Sequence, residues 1–246
     1  VIRGAGSAIH GADAMGGVIN IVTKRGKAGT MGGNVELGAG GQGYTRAAGS
    51  VSGGSEVVRY SASASNLRDG RESDGGKLDL NTISGSLSIV PSANTNIGLH
   101  ARQNDREASS FPDFSGGSRL AVLRTLEKRD AKETSYGADL KSKVLERVGM
   151  RVQVSRYERE EDVTSPGVDP FFDVPASKSH TDFTRDSVLA GISIDLPLDS
   201  DLTIGFENMK EKGNTRSSLD LSPIFGPGFE AVPGDFKLDR KTDSTY

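Results

Sequence analysis

The sequence predicts an all-β protein, specifically part of a transmembrane antiparallel β-barrel that follows a small glycine-dense segment. Three observations predict this class. Apolar residues alternate with polar ones in one segment after another, the connections between those segments alternate between short and long, and glycines crowd residues 1–24. Because side chains of a strand point alternately to its two faces, such alternation gives a sheet with one apolar and one polar face.

The composition narrows the class further. Hydrophobic residues make up 34% of the 246 residues, and 32 positions are glycine. This is low for a soluble globular chain, but a sheet with one wet face has such a composition because alternation dilutes its apolar residues. The net charge of −3 does not provide the excess of positive charge that is typical of nucleic-acid-binding proteins. The absence of cysteine excludes disulfides and thiolate metal sites, and we expect no cofactor.

Nine strands and the start of a tenth follow from the alternation. It is clearest in Val188–Leu196, Val148–Val154 and Leu202–Phe206. No apolar run reaches the length of a membrane helix. We expect strands of about 9 to 13 residues, enough to cross a bilayer at a tilt. The weaker segments are Val35–Ala39, Val58–Asn66, Ile83–Ile89, Ile97–Ala101 and Tyr136–Val144, with 44–53 placed by spacing.

The connections provide the second argument. Short ones are predicted at 53–56, 91–96, 146–147 and 197–201, and long ones at 68–79, 103–133, 158–185 and 210–240. Consecutive antiparallel strands place alternate connections at opposite ends, so the long ones share one end. That layout is typical of outer-membrane barrels, in which the apolar face contacts lipid. A soluble antiparallel protein has the same periodicity with its Val and Ile rows as the core, and this alternative stays open.

The glycine-dense segment contains patterns that imitate catalytic or nucleotide-binding motifs. Gly4–Ile9 approaches a dinucleotide-binding loop but lacks its third glycine and a following βαβ unit. Ser7, His10 and Asp13 have no strand–elbow–helix context. We therefore expect no enzyme, and interpret residues 1–24 as part of a small domain with tight turns.

Residues 1–24, VIRGAGSAIHGADAMGGVINIVTK, resemble the end of the plug domain of TonB-dependent outer-membrane receptors. In that family an Arg-Gly-Pro-x-Ser-x-x-Tyr-Gly run leads to Ala-x-Gly-Gly-Val-Ile-Asn-Ile-x-Thr-Lys. The chain differs at Ala5 and His10, where proline and an aromatic residue are usual. The positions that carry the plug motif are Arg3, Gly4, Ser7, Gly11, Gly16, Gly17 and Asn20.

The resemblance implies an internal fragment of a barrel of about 22 strands that is filled by a plug. Residues 1–26 would be the end of the plug and residues 27–246 the first part of the barrel, without the segment that contacts TonB. It implies a receptor in the bacterial outer membrane, surrounded by lipid, for an extracellular metal chelate or another nutrient. The expected cargo is a ferric siderophore, with cobalamin, haem or a glycan as alternatives. A soluble β-rich binding or adhesion protein is the alternative from another class.

Three groups of residues are candidates for function. The resemblance implies that Arg3 pairs with an acidic residue of the barrel wall, for which Glu207 is the candidate. Asp162, Asp169 and Asp173 lie in an acidic stretch and could bind calcium through oxygen ligands, although their spacing matches no known loop. Aromatic residues in the predicted loops could contact ligand or form small local cores; they are Phe111, Phe114, Phe171, Phe172, Phe225 and Phe229.

Overall fold

A computed structural model describes residues 2–3, 17–18, 26–71, 73, 75–168, 174–197 and 200–245. Of the glycine-dense segment it describes two short strands, β1 (Ile2–Arg3) and β2 (Gly17–Val18), which pair antiparallel. The division at residue 26 stays a prediction. The candidate residues that lie outside the described residues are Gly4, Ser7, Gly11, Gly16, Asn20, Asp169, Phe171, Phe172 and Asp173.

The rest of the chain forms one antiparallel sheet. Each strand from β3 to β11 pairs with the next along the chain, and both β12 and β13 pair with β11. No helix in the described part of the chain is long and apolar enough to cross a membrane. The strands are β3 (Thr30–Ala39), β4 (Thr45–Gly54), β5 (Val58–Arg71), β6 (Gly76–Ser92), β7 (Thr95–Ser110), β8 (Glu127–Leu145), β9 (Val148–Ser165), β10 (Ala176–Leu196), β11 (Ser200–Asp220), β12 (Val232–Pro233) and β13 (Phe236–Thr245), and two short helices are α1 (Gly117–Leu120) and α2 (Ser222–Phe225).

The predicted nine strands are confirmed as β3 to β11, and β13 is the start of the tenth. The predicted length of about 9 to 13 residues is confirmed for β3 and β4, which contain 10 residues each, but β5 to β11 are longer, with 21 residues each in β10 and β11. About half of the predicted long connection 103–133 is strand, which leaves residues 111–126 between β7 and β8. The apolar alternation ends partway along each strand, whereas the backbone hydrogen-bond ladder continues between polar residues. Alternation therefore marks the apolar part of a strand and not its end.

The apolar residues of all the long strands lie on one face of the sheet, which we call the outer face. The cross-strand register aligns them: Val188 of β10 lies opposite Val154 of β9, and Ile192 lies opposite Ile204 of β11. The large apolar side chains of these rows remain more than a third exposed: Met31, Val35, Leu37, Val51, Val58, Tyr60, Ile83, Leu99, Tyr136, Val154, Val188, Ile192, Leu196, Leu202, Ile204 and Phe206.

This exposure decides between the two classes that the sequence left open. Among the described residues the buried hydrophobic side chains are Ala121 and Ala131, so the Val and Ile rows do not form a core. Water-soluble monomers rarely expose so large an apolar surface, whereas a transmembrane barrel presents such a band to lipid. The soluble alternative is wrong, and the fold is part of a transmembrane antiparallel β-barrel.

The apolar band ends abruptly on the side of the long connections, and we call this end its upper edge. On β10 it runs from Leu196 to Val188, roughly 30 Å of strand at about 3.3 Å per residue, which crosses hydrocarbon at a barrel tilt. The next row of the outer face is polar: Asp186 lies opposite Arg156 and Lys210, with an Arg156–Asp186 ion pair of 3.6 Å. The strands continue well beyond this row toward the long connections.

Candidate functional site

The other face of the sheet, the inner face, is polar. Near the tight turns its β4–β6 portion consists largely of serine, and cross-strand pairs bond to each other: Ser61 to Ser86 at 2.7 Å and Ser63 to Ser84 at 2.8 Å. A recess of about 700 Å³ opens near the tight-turn ends of β5 to β11, lined among others by Arg59, Lys141 and Arg151. Short polar side chains leave room beside the wall for another part of the protein or for solute.

Further from the tight turns the inner face changes from small to charged and aromatic side chains. The strands are in register, so that Arg102, Ser135, Tyr157, Arg185, Glu211 and Arg240 lie opposite one another in succession across β7 to β11 and β13. We call the following residues of this row and its neighbours the charged belt: Arg102, Asn104, Arg106, Arg129, Glu133, Tyr157, Arg159, Glu161, Phe183, Arg185, Glu211 and Arg240.

Glu211 is the most buried charged side chain of the belt, with 3% of its surface exposed. Arg185 donates from Nε to its Oε1 at 2.8 Å, and Arg240 donates from Nε to its Oε2 at 2.7 Å. A carboxylate withdrawn from water needs such partners, since burying an unpaired charge is costly. The three side chains meet because β10, β11 and β13 place them at the same register position.

A second ionic cluster lies on β8 and β9. Arg159 donates to Glu133 at 3.2 Å and to Glu161 at 2.7 Å, and Arg129 approaches Glu161 at 3.8 Å. Asn104 of β7 donates to Glu133 at 3.5 Å and thereby continues the cluster onto a third strand. Every belt glutamate is therefore engaged by at least one arginine.

Two aromatic rings lie between these clusters. The Tyr157 and Phe183 rings are 6.1 Å apart and tilted by 60°, and the Arg185 guanidinium lies 5.8 Å from the Phe183 ring. Gly213 lies beside the Phe183 ring, at a distance where a Cβ would be in ordinary van der Waals contact with it at 3.6 Å. Sequence reasoning missed this group, since the Phe183 position was interpreted as loop. Leu189 and Glu207 are odd-numbered residues of the inner face. Counting every second residue from them toward the long connections would have placed Phe183 on this face as well.

The described loop aromatics fall into two kinds. Phe111 is an anchor: the Arg124 guanidinium lies 5.0 Å from its ring, and the ring packs closely on Gly75. Phe225 and Phe229 pack on each other with ring centres 5.6 Å apart. Phe114 is 92% exposed and has a positive φ of 66°, which is uncommon for a residue with a side chain.

The acidic stretch that includes Asp162 is not a loop, because most of it belongs to β9 and β10. Asp162 lies on the outer face beyond the apolar band and bonds to Nδ1 of His180 at 2.8 Å. Ligand atoms of Glu160, Asp162 and His180 lie within 4.8 Å of one another. The hydrogen bond that the His180 ring donates to Asp162 raises the pKa of His180, with Asp182 adding to the effect. The calcium set with Asp169 and Asp173 stays a prediction.

Glu207 lies on the inner face of β11, opposite Leu189 and Ser244. The Ser244 hydroxyl donates to its Oε2 at 3.5 Å. The Arg3 side chain lies outside the described residues, so a pairing of Arg3 with Glu207 stays a prediction.

No protein-family model matches the chain, and no curated protein matches it. Solved structures do. FpvA of P. aeruginosa bound to a heterologous pyoverdine is 20% identical, with a TM-score of 0.77, and the match covers 99% of this chain and 37% of that one. The ferripyoverdine receptor of the outer membrane of Pseudomonas aeruginosa is 20% identical over 99% of this chain and 37% of that one, with a TM-score of 0.72.

The siderophore receptor PiuA from Acinetobacter baumannii is 14% identical over 99% of this chain and 42% of that one, with a TM-score of 0.68. The chain thus spans between 37% and 42% of the length of these structures. At such identities the likeness shows the fold. The chain therefore has the β-barrel fold of outer-membrane siderophore receptors, which confirms the fold class that the resemblance to TonB-dependent receptors implies.

Proposed function

We propose that the chain is part of a TonB-dependent receptor of the bacterial outer membrane that takes up a ferric siderophore. The observation that carries the proposal is the pairing of a lipid-facing apolar band with an inner wall of charged and aromatic residues. A wall of this kind faces a wet interior and can hold a polar solute. The similarity to a siderophore receptor and to a receptor bound to ferripyoverdine supports an iron chelate as the cargo.

The proposal gives each region of the chain a role. The outer face contacts membrane lipid, and the long connections and the upper inner wall contact the extracellular chelate. Residues 1–26 end the plug, and residues 27–246 begin the barrel that surrounds it. Arg3 pairs with Glu207 to hold the plug against the wall. The TonB complex supplies the energy for uptake, and no reaction is assigned to the chain.

Uptake by the complete receptor that contains this chain tests the proposal. The receptor is expressed in iron-starved cells that lack their own siderophore receptors, and radiolabelled ferric chelates are added. We expect accumulation of iron that requires both TonB and the proton-motive force. Binding of haem, cobalamin or an oligosaccharide without binding of any ferric chelate would contradict the cargo. Recovery of the receptor from the aqueous fraction without detergent would contradict the class.

A further inference from the structure

The arginines of the charged belt are not all neutralised. The belt contains six arginines, Arg102, Arg106, Arg129, Arg159, Arg185 and Arg240, against three glutamates, Glu133, Glu161 and Glu211. The glutamates are engaged by the four arginines of β8, β9, β10 and β13. The excess positive charge is therefore concentrated on the remaining strand, β7.

The two β7 arginines have no carboxylate partner among the described residues. Arg102 donates from Nε to the uncharged amide oxygen of Asn104 at 3.1 Å. Arg106 makes no hydrogen bond or ion pair with any residue in the described part of the chain, and both side chains are exposed on the wall. Because they are four residues apart on one strand, they share the inner face at a spacing of about 13 Å.

Three of the four residues opposite these arginines on the neighbouring strands have small side chains, which leaves the guanidiniums accessible from the barrel interior. Arg102 lies between Ser84 of β6 and Ser135 of β8, and Arg106 lies between Leu80 and Ala131. The aromatic pair Tyr157 and Phe183 lies further along the same wall, on β9 and β10. The result is a cationic stretch of the inner face that is bordered on one side by aromatic rings.

Every cation of the charged belt is arginine. The outer face beyond the apolar band carries lysine as well as arginine, for example Lys210 and Arg156 on either side of Asp186. The guanidinium is planar, carries several fixed donors and is more weakly hydrated than an ammonium group. It therefore suits recognition of a planar anionic group inside a confined space.

We propose that Arg102 and Arg106 form the site at which the receptor holds the negative charge of its cargo, and that the cargo is an anionic ferric chelate. This inference depends on the proposed function and narrows it to one charge class. An anionic group that reaches both guanidiniums would be held from two positions along β7 by charge-assisted hydrogen bonds. The positive potential of these unneutralised arginines attracts anions to this part of the wall.

The test uses the complete receptor in detergent and two chelates of opposite character. One is a trianionic ferric tris-catecholate, and the other is an uncharged ferric tris-hydroxamate. The variants are Arg102→Gln, Arg106→Gln and both together, with Arg106→Lys as the variant that keeps the charge but loses the planar donors. Arg68→Gln is the matched control, because Arg68 lies on the outer face and pairs with Asp79 at 3.0 Å.

We expect the unaltered receptor to prefer the anionic chelate. Loss of each guanidinium should weaken its binding about tenfold, as for a charge-assisted hydrogen bond, and the double variant should weaken it about a hundredfold. Arg106→Lys should lie in between, Arg68→Gln should change nothing, and added salt should weaken anionic binding less in the double variant. Equal thermal unfolding midpoints of the variants show that the barrel is intact.

Two results would overturn the inference and leave the proposed function standing. One is equal or tighter binding of the uncharged chelate by the unaltered receptor. The other is unchanged binding of the anionic chelate by the double variant. A receptor that binds neither chelate contradicts the proposed function itself, and the inference falls with it.

Discussion

Arg185 and Glu211 face each other across β10 and β11, and Arg185 donates from Nε at 2.8 Å to a carboxylate whose side chain is only 4% exposed. Arg240 completes the pairing from the opposite side. The three strands are therefore joined on the inner face by charge-assisted hydrogen bonds in addition to the backbone ladder.

Replacing Glu211 by glutamine should destabilise the barrel. The two arginines lose the charge that both of them share, and the buried group can no longer accept from both sides with full strength. Since the guanidiniums are themselves about half exposed, we expect a loss of about 1–3 kcal/mol rather than the larger cost of a fully buried pair. The thermal unfolding midpoint of the complete receptor measures it.

Glu36→Gln is the matched control for that change. Glu36 also lies on the inner face and pairs with Arg46 at 3.0 Å, but its side chain is 52% exposed. Exposed ion pairs contribute less than about 1 kcal/mol. Equal shifts for the two variants would show that burial of Glu211 is irrelevant to stability.

A charge in the apolar band should be costly, and the same charge above it should not. Ile192 lies near the centre of the band on β10, and Ile192→Arg should cost about 2–4 kcal/mol of folding free energy in a bilayer. Thr184 is on the same face beyond the upper edge of the band, so Thr184→Arg should cost about 0–1 kcal/mol. Folding yield into lipid vesicles compares the two, and equal yields would exclude the assignment of this face to lipid.

The contact between His180 and Asp162 should depend on pH. It lies on strand extensions outside the apolar band. The hydrogen bond that the His180 ring donates to Asp162 raises the pKa of His180, while Asp182 adds to this effect and Arg216 opposes it. A raised pKa means that the folded form binds the proton more tightly. The stabilisation is therefore complete below the ordinary histidine pKa of about 6.5 and is lost as the pH rises through the higher folded value.

Amide hydrogen exchange of the upper parts of β9 and β10 measures this effect. Exchange there should be slower in mildly acidic than in mildly alkaline buffer, after correction for the intrinsic rate. His180→Gln should remove the difference. A pH dependence that survives in this variant would assign it to other groups.

The loop aromatics should separate into a contact residue and an anchor. Phe114→Ala should weaken chelate binding about tenfold, as for a hot-spot aromatic, without changing the unfolding midpoint. Phe111→Ala should increase proteolytic cleavage between β7 and β8, because it removes the packing on Gly75 and the Arg124 contact. Faster cleavage in Phe114→Ala than in Phe111→Ala would reverse the two assignments.

The alternation of apolar and polar residues by itself predicted much of the architecture. The rows such as Val188–Leu196 identified which residues face lipid, and their number and spacing identified the nine strands and the tenth. The site was less accessible. Phe111, Phe114 and Glu207 were named, whereas Tyr157, Phe183, Arg185, Glu211 and Arg240 were not. Those residues lie where apolar alternation has ended, so no periodic signal marks them as strand.

The sequence by itself determined the two faces of the sheet, because side-chain direction in a strand depends only on whether a residue number is odd or even. Only the tertiary structure decided which polar residues meet. Glu211 joins Arg185 and Arg240, which are 26 and 29 residues away in the chain. Such meetings depend on the register between neighbouring strands and on how far the ladder continues past the lipid. Both are set by pairing across the sheet, which local alternation does not encode.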